Sequence, residues 1–265
     1  MSLIEDHFKL HCAPFPQAAN AAALLQHQGI KDALERLRFA VDRDGIALLS
    51  VESGCGKSTV LGCLSRELDP TNYHVVYTAL SSLGPFSLLA SLSAKVGIRA
   101  RRFKGETAIE LVSHLRGLPK RTVLILDEAH LLPDSSLEDL RLLTADSLDQ
   151  KSPFALILSG QPLLRERLGE PQHYSLEQRI TVRVRLRPLT ESDVALFVDK
   201  HLRACGAKRG LFEPDAVTLL FQHTRGVPRR IQTLALGALL AAVTGNKTTV
   251  DSDSVQQALL DLEAP

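Results

Sequence analysis

The chain has little of what would place it outside the ordinary globular proteins. Among its 265 residues there are four cysteines, Cys12, Cys55, Cys63 and Cys205, with no Cys-x-x-Cys pair. That scatter argues against a disulfide framework or a zinc site and fits a reducing cytoplasm. There is no run of 18 apolar residues to span a bilayer and no charged-then-apolar leader, so the expected location is cytoplasmic without a membrane anchor. An excess of one charge is missing too: 31 Lys+Arg stand against 30 Asp+Glu, a net charge of +1, so any nucleic-acid contact must come from a local patch. Internal repeats and low-complexity tracts are absent. Hydrophobic residues make up 45% and charged residues 23%, and the length suits one large α/β domain plus a small helical one.

Residues 46–59, Ile-Ala-Leu-Leu-Ser-Val-Glu-Ser-Gly-Cys-Gly-Lys-Ser-Thr, run from an apolar stretch into a glycine-containing turn ending in Gly-Lys-Ser. This is the pattern of a phosphate cradle. Gly54 and Gly56 let the backbone turn its N–H groups toward phosphate oxygens, and the following helix adds the positive end of its dipole. Ser53, Gly54, Cys55, Gly56, Lys57, Ser58 and Thr59 are the expected nucleotide-binding residues, with Lys57 on the β- and γ-phosphates and Ser58 on Mg²⁺. The strict pattern G-x-x-x-x-G-K-[ST] has glycine where this chain has Val51. Because Gly-Lys-Ser also occurs at unrelated strand-to-helix turns, a second motif has to decide.

That motif is Thr122-Val-Leu-Ile-Leu-Asp-Glu-Ala-His130. Four apolar residues in a row suit a strand buried on both faces of a parallel sheet, and the strand ends in two carboxylates. Asp127 would stand at the carboxyl edge, where open α/β sheets bind ligands, and hold Mg²⁺ through water. Glu128 would take the proton of the attacking water. A strand that merely ends in solvated acids looks the same locally; the preceding phosphate loop favours nucleotide hydrolysis. The Asp-Glu-Ala-His string resembles that of helicases, but those need two motor domains and this chain has room for one. His130 is either a residue linking nucleotide state to neighbouring loops or a strand-end histidine.

In chain order, residues 1–26 read as an irregular lead-in, followed by a helix over 28–43 with Ile30, Ala33, Leu34, Leu37 and Val41 on one face. Strands are expected at 46–51, 73–79, 122–127, 154–158 and 180–186, with helices at 57–68, 86–97, 106–118 and 135–148. The strand at 180–186 alternates Val182, Val184 and Leu186 with Arg183 and Arg185, as an edge strand with one wet face would. After Pro188, Thr190 caps a helix, and further helices follow near 213–223, 228–243 and 251–262. The expected domains are a lead-in and helix at 1–44, an α/β ATPase domain at 45–188 and a helical lid at 189–265.

This order of elements resembles the AAA+ ATPases. Pro14-Phe15, Asp127-Glu-Ala-His130, Ser159-Gly-Gln-Pro-Leu-Leu164, Glu177-Gln-Arg-Ile180 and Gly226-Val-Pro-Arg-Arg230 are similar to the ExeA/TniB/MuB/TnsC-type group, which includes transposition helper ATPases and a secretion ATPase. The resemblance implies an α/β fold with a five-stranded parallel sheet in the order 5-1-4-3-2 and a small carboxyl-terminal helical lid. It implies that Ser159 or Gln161 is the sensor that positions the attacking water. Arg229 would be the second sensor, with Arg230 competing for the role. Arg179 would be an arginine finger reaching a neighbouring subunit, with Arg165 and Arg167 as fallbacks, and each of these is otherwise a solvated arginine. Arg99, Arg101, Arg102 and Lys104 form a cation cluster suited to DNA phosphates or simply to solvent. Arg183, Arg185 and Arg187 face solvent or a neighbouring subunit. The implied cofactors are ATP and Mg²⁺, and the implied partners are double-stranded DNA, a transposase or related recombination protein, and further copies of the chain in a ring or helical filament. The function so implied is a transposition helper. The alternatives are an ExeA-like secretion ATPase and a low-turnover nucleotide switch.

Overall fold

Five apolar segments pair in parallel into one sheet: β1 (Ile46–Val51), β2 (Tyr73–Ala79), β3 (Arg121–Asp127), β4 (Ala155–Gly160) and β5 (Ile180–Leu186), in the order β2-β3-β4-β1-β5. This is the expected 5-1-4-3-2 order read from the other edge. The computed structural model describes residues 3–15, 28–79, 85–144 and 152–263. β1 and β4 are buried along their whole length and β3 at every position after Arg121, as continuous apolar runs with both faces covered require. β5 lies at the edge, with Val182, Val184 and Leu186 inward and Thr181, Arg183 and Arg185 in solvent. The register sets Ser50 beside Gly160, Leu126 beside Leu158 and Ala79 beside Asp127, so the carboxyl ends of β1 to β4 form one edge.

Contacts divide the chain into two compact units. One comprises Asp32–Ser53 and Val60–Leu186; the other comprises Met1–Lys31, Gly54–Thr59 and Arg187–Pro265. In the sheet unit, Leu48, Leu124, Leu126, Leu156 and Leu158 pack with Leu88, Leu92, Leu111 and Leu140 from the helices Pro85–Lys95, Lys104–Gly117 and Asp134–Leu143. Each fully buried leucine contributes roughly 1.5–3 kcal/mol relative to exposure, which makes this layer the main source of the unit's stability. The expected helical face of Ile30, Ala33, Leu34, Leu37 and Val41 is buried.

Two local expectations are corrected. The lead-in contains a six-residue helix, Leu3–Phe8, which buries Ile4 and is too short to carry a readable period. The helix expected over 135–148 spans Asp134–Leu143. Residues 145–148 of that expectation, and 16–26 of the lead-in, lie outside the described residues.

The second unit is built on the helices Glu191–Ala204, Pro214–Thr224, Pro228–Thr244 and Ser252–Glu263. Thr190 opens the first with a reciprocal capping box: its hydroxyl accepts from the Asp193 N–H at 3.3 Å, and its own N–H donates to the Asp193 carboxylate at 3.2 Å. The last two helices approach closely at Gly237, where an added Cβ would lie 3.1 Å from that of Ala258. Leu189 N–H donates to the Gly226 carbonyl at 2.8 Å. Gly226 has φ +73°, and a Cβ there would lie 1.9 Å from the Leu189 carbonyl oxygen. No other residue fits.

Gly226→Ala is therefore expected to destabilise the chain by about 3 kcal/mol or more, since left-handed strain and a backbone clash add. Gly97→Ala is the control: it has φ +85° with open space around the added carbon, and should cost only about 1–2 kcal/mol. Urea denaturation measures both, and equal losses would contradict the close packing assigned to Gly226.

Candidate active site

The phosphate-loop segment begins where β1 ends. Val51 is 1% exposed and pairs with Leu186, so it completes the strand, and its φ is not positive. The backbone needs a left-handed residue only at Gly54 (φ +83°) and Gly56 (φ +95°), where this chain has glycine. The departure at position 51 thus falls on a residue that requires no special backbone. The helix Lys57–Glu67 starts directly afterwards, with Lys57 half-buried and Ser58 exposed in the first turn, where N–H groups have no intrahelical partner. In the same unit, Arg229 N–H donates to the Gly54 carbonyl at 3.2 Å. A Cβ at Gly54 would meet Arg229 Cβ at 3.0 Å and Val227 Cγ1 at 3.1 Å, so Gly54 is required twice over, by φ and by space. The Arg229 and Arg230 side chains are exposed.

At the tip of β3, Asp127 is 4% exposed. A buried carboxylate without partners costs several kcal/mol, so its hydrogen bonds decide whether the strand can end there. Ser159 Oγ donates to Asp127 Oδ1 at 3.1 Å, and the Glu128 N–H donates to the same oxygen at 2.9 Å. Tyr77 Oη, from β2, donates to Oδ2 at 3.0 Å. Ser159, one of the two expected sensor candidates, thus lies beside Asp127, while Tyr77 was not legible in the sequence. Fifty residues separate it from Asp127, and only the β2–β3 register brings it there. Glu128 adopts φ 55°, ψ 31°, a left-handed conformation rare for a side-chain-bearing residue and costing about 1–3 kcal/mol. Its side chain is 36% exposed, open to a water molecule.

His130 follows in a short 3₁₀ turn and is buried. Its Nδ1 lies 3.5 Å from Glu128 Oε2 and 3.5 Å from the Gln161 backbone nitrogen. In this geometry the Gln161 N–H donates to Nδ1. Gly160 makes this approach possible, because a Cβ there would lie 3.1 Å from His130 N and 3.3 Å from its Nδ1. Arg167 holds the same turn by donating to the His130 carbonyl at 2.8 Å and pairing with Asp134 at 2.5 Å, and His173 Nε2 meets Asp134 at 3.0 Å.

The remaining expected residues stand apart from this cluster. Arg179 is exposed in the turn before β5, and Arg165 is exposed on the helix Pro162–Leu168, whereas Arg167 is committed to Asp134. In the expected cation cluster, Arg101 forms a two-pronged pair with Glu110, and Lys104 pairs with Asp139 at 2.6 Å. Arg102 lies over the Phe103 ring at 5.7 Å. Among the described residues, Arg99 and Arg102 have no carboxylate partner. On β5, Arg183 pairs with Glu177.

Comparison with known proteins agrees with this geometry. Residues 40–168 match the family described as "AAA domain". The chain is 36% identical over 242 residues to general secretion pathway protein A of Aeromonas hydrophila, a match that covers 89% of this chain and 44% of that protein. The chain therefore spans less than half the length of this curated relative. The fold is shared with Cdc6p from Pyrobaculum aerophilum (TM-score 0.69, 19% identity, 97% of this chain and 70% of that chain). It is also shared with the Orc1 protein of Aeropyrum pernix in complex with DNA (TM-score 0.63, 20% identity, 98% and 69%). Among the described residues no helix is long and apolar enough to cross a membrane.

The Tyr77 hydroxyl has its pKa pushed up to about 12, first by burial and then by its bond to the Asp127 carboxylate. Because the folded value lies above the ordinary value of about 10, the neutral phenol's contribution to stability is complete below that pH and fades as pH rises toward 12. Asp127→Asn is expected to lower the Tyr77 ionisation, and Tyr77→Phe to delete the most alkaline tyrosinate step. Ultraviolet absorbance titration measures both, and an unchanged step in Asp127→Asn would rule out the bond.

Proposed function

Starting from the AAA-type P-loop domain that this chain carries, we propose that it binds and hydrolyses ATP. The observation that carries the proposal is the end of β3: Asp127 is buried and oriented by Ser159, Tyr77 and the Glu128 N–H, with Glu128 turned outward beside it. In this reading the backbone from Ser53 to Thr59 cradles the phosphates and Lys57 neutralises their charge. Ser58 and Asp127 offer hard oxygen donors, the set Mg²⁺ prefers. When bound, Mg²⁺ supplies charge neutralisation for the transferred phosphoryl group.

Glu128 takes the proton from the attacking water as general base, while Ser159 and Gln161 hold the water's surroundings. Arg229, tied through its backbone to Gly54, acts as the second sensor, and residues 189–265 serve as the lid that carries it. Arg179, exposed before β5, is the finger supplied to a neighbouring copy, so full activity needs an assembly. Lys57→Ala is expected to abolish nucleotide binding, whereas Glu128→Gln keeps binding and lowers turnover about 100-fold or more. Turnover per subunit should rise with protein concentration, and this rise should vanish in Arg179→Ala. Near-normal turnover in Glu128→Gln would remove Glu128 as base, and a dilution-independent rate would remove the finger in trans.

The identity with general secretion pathway protein A supports a nucleotide-driven step in secretion as the cellular role. A second reading, a transposition helper that assembles on double-stranded DNA with ATP, draws on the motifs at 14–15, 127–130, 159–164, 177–180 and 226–230 and on the exposed Arg99 and Arg102. With Arg101 and Lys104 already paired to carboxylates, a phosphate contact would rest chiefly on the other two. Under the second reading, Arg99→Ala with Arg102→Ala weakens ATP-dependent DNA binding equally on unrelated sequences. The double change should also reduce the salt slope by roughly 0.9 per lost contact. Fluorescence anisotropy across a salt series decides, and absence of ATP-dependent binding in the unaltered protein leaves the secretion role.

A further inference from the structure

Two of the cysteines that lack any sequence spacing meet in the helical unit. Cys12 Sγ lies 2.7 Å from Cys205 Sγ, across 193 residues of sequence. A bonded pair is about 2.05 Å apart, so the two sulfurs stand close to bonding distance. Both thiols are free; Cys205 is buried and Cys12 is partly accessible.

The approach is held by the backbone, not by the thiols alone. His11 N–H donates to the Cys205 carbonyl at 2.9 Å, and Cys205 Sγ lies 3.4 Å from the Ala13 carbonyl, as a donor. Gly206, with φ +96°, leaves room for this strand of chain: a Cβ there would lie 2.3 Å from His11 Nδ1. On the other side, Phe15 is buried and stacks on His201 at 5.4 Å. Residues 10–15 are thereby fastened over the carboxyl end of the helix Glu191–Ala204, with the two sulfurs at the centre of the contact.

We propose that Cys12 and Cys205 form a redox-modifiable pair that closes to an intramolecular disulfide when a small-molecule disulfide such as oxidised glutathione is in excess. Access fixes the order of events. The Cys12 thiolate attacks the external disulfide, forming a mixed disulfide and releasing one small thiol. The Cys205 sulfur then attacks Cys12 Sγ, the S–S bond to the remaining small thiol breaks, and that thiol leaves. One external disulfide is reduced to two thiols, and the two protons of the cysteines end on them. Because Cys205 is buried and Cys12 is partly accessible, Cys12 is the sulfur that meets the external disulfide first. The Cys205 thiol is pushed up by burial and then by its contact with Cys12, and that contact with a Cys12 proton ends once Cys12 carries the mixed disulfide. The closed form ties the amino-terminal segment to the helical unit through a loop spanning 193 residues of sequence, and such a link restricts the unfolded state more the longer the loop.

The test uses the full chain, incubated with oxidised glutathione or with dithiothreitol, alkylated and digested for mass spectrometry. The expected result is a Cys12 peptide joined to a Cys205 peptide, a whole-chain mass lower by two hydrogens, and a melting temperature above that of the reduced protein. All three should revert with dithiothreitol. Cys12→Ser, at the more accessible position, should melt like the reduced wild type under both conditions and give no joined peptide. Glutathione retained on Cys12 with Cys205 alkylated, or both thiols fully alkylated after oxidation, overturns the proposal.

Discussion

A carboxylate buried at the end of a strand that is itself covered on both faces is the constraint on which the sheet unit depends. Asp127 is 4% exposed, and its charge is tolerable only because Ser159, Tyr77 and the Glu128 N–H reach it. Those donors come from β4, from β2 and from the turn after β3, so satisfying one side chain links three strands at their carboxyl ends. Glu128 is left-handed at the point where its N–H turns back to donate to Asp127.

A second constraint is steric. Gly160 admits His130, Gly226 admits the Leu189 carbonyl, Gly206 admits His11, and Gly54 admits Val227 and Arg229. At Gly206 and Gly226 the neighbouring segment comes closer than a Cβ permits, and at Gly54 and Gly160 an added Cβ would be tightly crowded. At Gly54, Gly206 and Gly226 positive φ adds to the crowding, while Gly160 is crowded without positive φ. The turn carrying His130, which Gly160 admits, is held by Arg167 and Asp134.

The comparisons and the geometry bear on different parts of the problem. A match of residues 40–168 to an AAA domain and the parallel sheet order account for a P-loop protein. Solved structures at about 20% identity speak for the fold alone. The 36% identity covers 89% of this chain and 44% of that relative, so it speaks for the shared stretch alone. The pairing of Arg101 and Lys104 with carboxylates narrows the basic patch, an effect invisible while the four cations were only neighbours in sequence.

By itself, the sequence determined what depends on local pattern. Continuous apolar runs marked β1, β3 and β4, alternation marked the edge strand β5, and Gly-Cys-Gly-Lys-Ser with Asp127-Glu128 marked the nucleotide chemistry, because periodicity and turn chemistry act over a few residues. The tertiary structure decided what depends on register and long-range approach. Tyr77 reaches Asp127 from 50 residues away, Cys205 reaches Cys12 from 193, and Lys104 is claimed by Asp139 on another helix. None of these residues carries a local signal, since a hydrogen bond, a thiol contact or an ion pair between distant segments exists only once strands have paired and helices have packed.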